Sequence, residues 1–138
     1  MEGVLDCSVA LAWALPDEAS ARAEKFLAHL PPQSILWVPA LWWYEISNAL
    51  TMAQRRHRLA ESESRRIVDL YSTLPIKTDA ELSVDVVRRI QAVARDYTLS
   101  AYDAAYLELA RRRSVGLATL DRRLATASRK AGVKILTA

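Results

Sequence analysis

The chain has 138 residues, which is enough for one domain with a hydrophobic core. Hydrophobic residues make up 51% of it and charged residues 25%, as in ordinary globular proteins, and no apolar run is long enough to cross a bilayer. The single cysteine, Cys7, excludes an internal disulfide and a Cys-rich zinc site. The N-terminus lacks the pattern of a signal peptide, so we expect a cytoplasmic protein without a membrane partner.

Short apolar runs rich in β-branched residues alternate along the chain with longer segments of helical periodicity. The predicted strands are residues 3–6, 34–38, 75–78, 116–120 and 133–137. The predicted helices are residues 8–15, 18–30, 40–58, 60–73, 84–97, 100–113 and 122–131. This alternation predicts an α/β fold in which crossover connections build a mainly parallel, five-stranded sheet covered by helices on both faces. We therefore expect a single domain over residues 1–138, with a three-layer α/β/α architecture.

Two acidic residues lie where predicted strands end. Asp6 closes the first predicted strand, and Asp121 follows the fourth. Each is also well placed to cap the next helix, because aspartate is a favoured N-cap residue. In parallel α/β sheets, ligands bind beyond the carboxyl ends of the strands. Both residues are therefore candidates for a functional site as well as for helix caps.

Two further acids lie in apolar helical stretches. Glu45 has no base three or four residues further on, and Asn48 lies on the same helical face. Asp103 comes three residues after Ser100, which is the spacing of a capping box. Burying a bare carboxylate is costly, so an acid in such surroundings needs a partner or a structural role.

The four acids together indicate a metal ion. Carboxylates brought close to one another repel, and a divalent cation removes that repulsion. Mg²⁺, or Mn²⁺, prefers oxygen ligands and fits this set. Ser8 and Thr119 lie beside the two strand-end acids and could bind water, phosphate or a carboxylate oxygen. Ordinary hydrogen bonds to the local backbone are the alternative role for both hydroxyls.

Positive charge is concentrated near the end of the chain. Residues 111–138 carry eight bases and one acid. Such a region can attract a polyanion, although a charged run can equally be a solvated helix surface. Candidate phosphate contacts are these bases together with Arg55, Arg56 and Arg58.

Four motifs in this order resemble the PIN-domain family, specifically its VapC-type ribonuclease toxins. They are Asp6-Cys7-Ser8, the helix from Pro39 through Glu45 to Asn48, Tyr102-Asp103-Ala104-Ala105-Tyr106, and Thr119-Leu120-Asp121-Arg122-Arg123. The resemblance covers essentially the whole chain and implies a PIN-like fold.

The resemblance also implies a metal-dependent endoribonuclease that uses Mg²⁺, or Mn²⁺, to hydrolyse RNA phosphodiester bonds. Asp6 and Asp103 would then be direct metal ligands, with Asp121 bound directly or through water. Glu45 would hold a metal-bound water or complete a second site. A cognate antitoxin and a homodimeric partner are the protein partners that the family implies.

Three consecutive aromatic residues, Trp42, Trp43 and Tyr44, are candidate walls for an apolar groove that binds an antitoxin segment. They could instead all belong to the core. Three successive helix positions span about 200°, so the three cannot all face the core from one direction. We expect at least one of them to meet another surface.

Three other functions remain open from the sequence. A related PIN-like nuclease could act on structured DNA, although the short chain leaves little room for extra DNA-binding elements. A receiver-type signalling domain would have its phosphoacceptor aspartate at the end of the third strand, where Asp79 stands, and a lysine at the end of the fifth. Lys134 lies at the start of that predicted strand. A non-catalytic binding module on the same fold would not need all four acids.

Overall fold

Four parallel strands form the central sheet in the computed structural model, which describes all 138 residues. The strands are β1 (Glu2–Leu5), β2 (Ile35–Pro39), β3 (Ile76–Asp79) and β4 (Gly116–Ala118). Their order across the sheet is β3-β2-β1-β4, and Gly3 of β1 pairs with Leu36 on one side and Gly116 on the other. The predicted parallel α/β sheet is therefore confirmed, and the predicted strand number is not.

The fifth strand predicted at residues 133–137 is wrong. This segment runs beside β4 but forms only an isolated bridge between Leu117 and Ile135. Beyond this bridge, a side chain takes the place of strand-to-strand backbone hydrogen bonds. The Thr137 hydroxyl accepts the Thr119 N–H at 3.2 Å and donates to the Thr119 carbonyl at 2.6 Å. Leu136 packs so closely over Gly3 and Gly116 that a Cβ atom on either glycine would clash with it.

All seven predicted helices are present. They are α1 (Cys7–Ala14), α2 (Ala21–Ala28), α3 (Ala40–Arg55), α4 (Glu61–Ser72), α5 (Val84–Tyr97), α6 (Ala101–Arg113) and α7 (Arg122–Lys130). Helix α2 is shorter than predicted, because Pro16–Glu18 forms a separate 3₁₀ turn and the Ser20 side chain caps α2. Helix α3 ends early, because His57 adopts a positive φ of 58°. None of the helices has both the length and the apolarity that a membrane span requires.

Both faces of the sheet are covered. The consecutive β1 residues Val4 and Leu5 are both buried. The three consecutive residues Leu36, Trp37 and Val38 of β2 are buried as well. Successive side chains of a strand point to opposite faces, so continuous burial requires packing on each side. This agrees with the predicted arrangement of helices on both faces.

The aromatic run at the start of α3 divides between core and surface. Trp42 is fully buried and packs edge-on against Tyr71 of α4. Trp43 is 41% exposed and Tyr44 is 75% exposed. The Trp43 indole N–H donates to the Thr78 hydroxyl at 2.8 Å. The prediction that the three residues cannot all face the core is confirmed.

Two buried acids outside the predicted site are neutralised by arginines. Asp79 ends β3 and accepts hydrogen bonds from Arg112 and Arg113 at 2.9 and 3.0 Å. Glu108 of α6 accepts hydrogen bonds from Arg112 at 2.8 Å and from Arg89 of α5 at 2.9 Å. This network of alternating charges joins the edge strand β3 to α5 and α6. It satisfies the rule that a buried carboxylate is paired.

The ion pairs of Asp79 predict how stability depends on pH. Burial alone would raise the pKa of Asp79, but hydrogen bonds from Arg112 and Arg113 outweigh it and hold the pKa below the ordinary value. A carboxyl with a depressed pKa in the folded state stabilises the protein above its unfolded-state pKa. That contribution is lost as the pH falls from about 4 through the lower folded-state value.

We therefore expect the free energy of unfolding to fall less steeply below about pH 4 in Asp79→Asn than in the unmodified protein. Urea denaturation at a series of pH values measures this. Asp69→Asn, which changes an exposed residue of α4 that makes no ion pair, is the matched control and should follow the unmodified protein. Parallel curves for Asp79→Asn and the unmodified protein would contradict the pairing.

Candidate active site

The predicted site lies where the order of the sheet reverses. The chain builds β2 and β3 on one side of β1 and then crosses back to form β4 on its other side, so the strand order reverses at β1. In open parallel sheets, the crevice beyond the carboxyl ends of the strands at such a point binds ligands. Asp6 directly follows β1, while Thr119 and Asp121 follow β4. A hydrogen bond of 3.0 Å from the Asp6 N–H to the Ala118 carbonyl joins the two strand ends.

Asp6 is a buried carboxylate without a positive partner. Only 7% of the residue is exposed, and its side chain does not cap α1. Its Oδ2 atom accepts hydrogen bonds of 2.7 Å from each of the Ser8 and Thr119 hydroxyls. Burial raises the pKa of Asp6, these two hydrogen bonds oppose the rise, and the negative charges of Asp103 and Asp121 add to it. The capping role considered for Asp6 is thus absent, and the carboxylate instead accepts hydrogen bonds from the segments that follow β1 and β4.

Ser8 and Thr119 connect the loop after β1 to the loop after β4. The Ser8 hydroxyl accepts the N–H of Leu120 at 2.9 Å, and the Thr119 hydroxyl accepts the N–H of Asp121 at 3.0 Å. Each hydroxyl therefore accepts a backbone N–H while donating to Asp6. Both roles considered for these residues, a carboxylate contact and a backbone contact, occur together.

Asp121 caps α7, as one of its two predicted roles requires. Its Oδ1 atom accepts the N–H of Leu124 at 2.8 Å, while Oδ2 makes no hydrogen bond. The residue is exposed at the rim of the site. Because the cap occupies one oxygen only, the other remains free to bind a ligand.

Asp103 lies in the first turn of α6. Its N–H donates to the Ser100 hydroxyl at 3.1 Å, but the Ser100 N–H does not donate to its carboxylate, so the capping box is only half formed. Burial raises the pKa of Asp103, and the charge of Asp121 raises it further. The Asp103 carboxylate is therefore available to a ligand and lies in the negative field of a second acid.

Glu45 is held by a tyrosine that was not among the predicted site residues. The Tyr106 hydroxyl donates to Glu45 Oε1 at 2.7 Å and lies 3.3 Å from the Cys7 sulfur. Tyr106 is 1% exposed, so this hydroxyl is fixed within the core. Burial raises the pKa of Glu45, and the charges of Asp6 and Asp103 contribute. Tyr106 follows Asp103 by one helical turn, which places both on one face and is the sequence signal for its role.

Asn48, predicted as a supporting residue, makes no hydrogen bond to any of the four acids. It is exposed on α3, one turn after Glu45, and its side chain makes no hydrogen bond. Its role stays a prediction.

The four acids differ from the buried carboxylates Asp79 and Glu108 in having no ion pair at all. No lysine or arginine lies within salt-bridge distance of Asp6, Glu45, Asp103 or Asp121, whereas Asp79 and Glu108 have two arginines each. The mutual effects on their pKa values place the four in one negative field. This field is the electrostatic environment that attracts a cation.

The donor set fits a hard divalent cation. No three acidic, histidine or cysteine side chains are spaced as a ready set of metal ligands. Mg²⁺ does not require one, because it is usually bound through one or two carboxylates, with waters and substrate phosphates completing its shell. The predicted site residues offer carboxylate and hydroxyl oxygens as ligands, and these suit Mg²⁺ or Mn²⁺ better than softer metals.

Comparison with known proteins identifies the family of the chain. The family model of the PIN domain matches residues 3–130. The chain belongs to the PIN-domain family. Ribonuclease VapC3 from Pyrobaculum aerophilum is 32% identical over 129 residues, which cover 91% of this chain and 93% of that protein. These matches confirm the resemblance to the PIN-domain family and to its VapC-type members.

Solved structures agree with this PIN fold. The crystal structure of PAE2754 from Pyrobaculum aerophilum is similar with a TM-score of 0.69 and 27% identity, covering 99% of this chain and 84% of that one. A chain of a toxin–antitoxin complex from Klebsiella pneumoniae has the same fold, with a TM-score of 0.61 and 21% identity over 89% of each chain.

Several cations of this PIN domain are already engaged. Arg58, one of the predicted phosphate contacts, pairs with Asp17 at 2.6 Å and Glu18 at 3.5 Å. Arg112 and Arg113 belong to the network around Asp79. Bases without an ion pair include Arg56, Arg122, Arg123, Arg129 and Lys130. The unpaired bases of α7 remain the better candidates for binding a polyanion.

Proposed function

We propose that this PIN-domain protein is an endoribonuclease that depends on Mg²⁺, or Mn²⁺, and that it serves as the toxin of a toxin–antitoxin pair. The observation that carries the proposal is the buried Asp6 carboxylate, which has two hydroxyl partners but no cation and lies in the field of Asp103 and Asp121. The similarity to Ribonuclease VapC3 supports the choice of RNA as substrate.

Asp6 and Asp103 are the proposed direct ligands, with Asp121 bound directly or through water. A bound divalent cation supplies a water of lowered pKa and stabilises the charge that develops on the phosphoryl and leaving oxygens. Ser8 and Thr119 fix the Asp6 carboxylate by donating to the same oxygen. Tyr106 fixes Glu45 in the same way. The raised pKa of Glu45 improves its capacity to accept a proton at neutral pH.

The proposed protein partners are a cognate antitoxin and a second copy of the chain. The similarity to a toxin–antitoxin complex from Klebsiella pneumoniae supports the antitoxin. An apolar groove between α3 and α4, with Trp43, Leu50, Val68 and Tyr71 among its walls, is where we propose that its segment binds.

Two alternatives from the sequence lose support. A receiver-type domain has β1 between the second and third strands, whereas β1 lies here between β2 and β4. Asp79, which would be the phosphoacceptor, is bound by two arginines. A non-catalytic module would have no use for four acids without ion pairs, two of them beyond strand ends and two on neighbouring helices. A nuclease that acts on structured DNA remains the second candidate, since its catalytic acids would be the same.

Cleavage of labelled single-stranded RNA, single-stranded DNA and flapped duplex DNA by the purified protein tests the proposal. We expect cleavage of RNA when Mg²⁺ or Mn²⁺ is present. We expect no cleavage when EDTA is added or when the buffer contains no divalent ions. An endonuclease gives labelled products of intermediate length whether the substrate is labelled at its 5′ or its 3′ end. An exonuclease releases only labelled mononucleotides when the label is at the end that it attacks. Preferential cleavage of the flapped DNA would favour the second candidate, and cleavage unaffected by EDTA would contradict metal dependence.

Removing the Tyr106 hydroxyl is expected to lower kcat for RNA cleavage by about 10- to 100-fold, as for other residues that orient a site carboxylate. In Tyr106→Phe the buried ring remains, so the fold should persist with a loss of about 1 kcal/mol of stability. The KM for RNA should stay within about twofold, because Tyr106 is too buried to touch RNA. Steady-state kinetics measure both constants.

Tyr102→Phe is the matched control, since Tyr102 is 67% exposed on the same helix and its hydroxyl makes no hydrogen bond. Equal kcat values for the two variants would contradict the positioning of Glu45 by Tyr106.

A further inference from the structure

A groove with basic residues on one wall runs between the C-terminal end of α5 and the exposed face of α7. Its lining includes Tyr97 and Thr98 on the α5 side and Arg123, Thr126 and Lys130 on the α7 side. The three α7 residues are spaced i, i+3 and i+7, so they form one stripe along the helix. The groove is thus an open channel with a row of polar and cationic side chains along one side.

Both cations of the stripe are free of ion pairs. Neither Arg123 nor Lys130 has a carboxylate within salt-bridge distance, and both are exposed. The one acid in the lining, Asp96, lies 3.4 Å from Arg95, which partly offsets its charge. Surface cations left unpaired in a concave surface can bind an external anion at little cost in lost internal contacts.

The groove begins beside the carboxylate site. Arg123 follows Asp121, the cap of α7, by two residues, so it stands in the first turn of the helix that leaves the site. Its charge also acts on Asp103, where it opposes the rise in pKa that burial and Asp121 produce. Lys130 lies two turns further along α7, about 10 Å away by the helical rise. The cations therefore lead from the candidate active site outwards.

We infer that this groove binds the sugar–phosphate backbone of single-stranded RNA next to the bond that is cut, with Arg123 and Lys130 as its phosphate contacts. The inference rests on the proposed function, which supplies RNA as the substrate. Phosphate contacts fix the register and direction of a strand without selecting its sequence. A strand held here would pass the Asp103 and Asp121 side of the site, with its phosphates kept near the acids by Arg123.

The test is RNA binding by the double variant Arg123→Ala/Lys130→Ala. Fluorescein-labelled oligouridylate is a sufficient probe, because backbone contacts do not depend on sequence, and EDTA prevents cleavage during the titration. Each phosphate contact on a single strand contributes about 0.7 to the slope of log affinity against log salt. We expect the double variant to lose about 1.4 of that slope and to bind about tenfold more weakly at low salt.

Lys25→Ala/Arg66→Ala is the matched control. It also removes two positive charges, one from α2 and one from α4. Both of these side chains are exposed and have no ion pair. It should keep the salt slope of the unmodified protein. Circular dichroism should give the same melting temperature for both double variants, because all four positions are exposed.

The two proposals fail in different ways. An unchanged slope in Arg123→Ala/Lys130→Ala, or an equal loss in the control variant, would overturn the groove assignment even when the unmodified protein cleaves RNA. The salt slope could instead fall only in Arg123→Ala/Lys130→Ala while the unmodified protein fails to cleave RNA with Mg²⁺ or Mn²⁺. This result would overturn the proposed nuclease activity and leave the groove as an RNA-binding site. Cleavage with a raised KM and unchanged kcat in the groove variant would support both.

Discussion

Replacing Asp6 with asparagine is expected to abolish metal-dependent RNA cleavage while leaving the metal-free protein at least as stable as before. The amide oxygen of asparagine can still accept hydrogen bonds from Ser8 and Thr119, which both donate to one oxygen of Asp6. The change removes a buried negative charge that no cation compensates in the protein itself. It also removes the proposed direct ligand, and losing the several kcal/mol of transition-state stabilisation that a metal supplies would slow cleavage by about 1000-fold or more.

Thermal unfolding with and without Mg²⁺ separates these effects. A ligand that binds only the folded protein raises its melting temperature, so Mg²⁺ should stabilise the unmodified protein and have little effect on Asp6→Asn. Asp69→Asn, on the exposed surface of α4, makes the same change of charge and should retain both the Mg²⁺ effect and the activity. Full cleavage by Asp6→Asn, or an unchanged response to Mg²⁺, would remove Asp6 from the metal site.

Strand and helix alternation was sufficient to predict the parallel sheet, because a parallel pair needs a long crossover and leaves its hydrophobic pattern in the sequence. The error at residues 133–137 has a local cause. Val133 and Ile135 have strand-like character and are buried, but Thr137 uses its hydroxyl where a strand would use its backbone. Composition and periodicity carry no information about which of these two groups takes the hydrogen bond.

The candidate site was predictable to a similar degree. Local motifs singled out Asp6, Glu45, Asp103 and Asp121 as candidates, whose roles stay predictions. The absence of a base one turn after Glu45 indicated an acid without an ion pair, and Glu45 makes none in the structure. The partners of Asp79 were not predictable, because Arg112 and Arg113 are 33 and 34 residues away in the chain. Whether a buried acid is available to a ligand thus depends on such distant contacts.

Replacing Arg112 should have the opposite effect to replacing Asp6. It should lower the free energy of unfolding without removing a proposed metal ligand. Its guanidinium donates to Asp79 and to Glu108, whose side chains are only 5% and 6% exposed. In Arg112→Met, a side chain of similar length and good helix propensity replaces the guanidinium, and both buried carboxylates lose a partner. Removing one partner of a buried ion pair costs about 3 to 5 kcal/mol. Because Arg113 and Arg89 each remain beside one acid, we expect the lower end, about 3 kcal/mol.

Urea denaturation measures this loss, and two further variants assign its cause. Arg111→Met changes the neighbouring residue, which is exposed, makes no ion pair and lies over the Tyr97 ring, and should cost less than about 1 kcal/mol. Adding Asp79→Asn to Arg112→Met should recover part of the loss, because one of the two stranded charges is then gone. A recovery would show that the cost comes from an unpaired buried charge. The opposite outcome is no recovery in the double variant together with equal stability of Arg111→Met and Arg112→Met. It would mean that the ion pairs of Asp79 and Glu108 contribute little to stability.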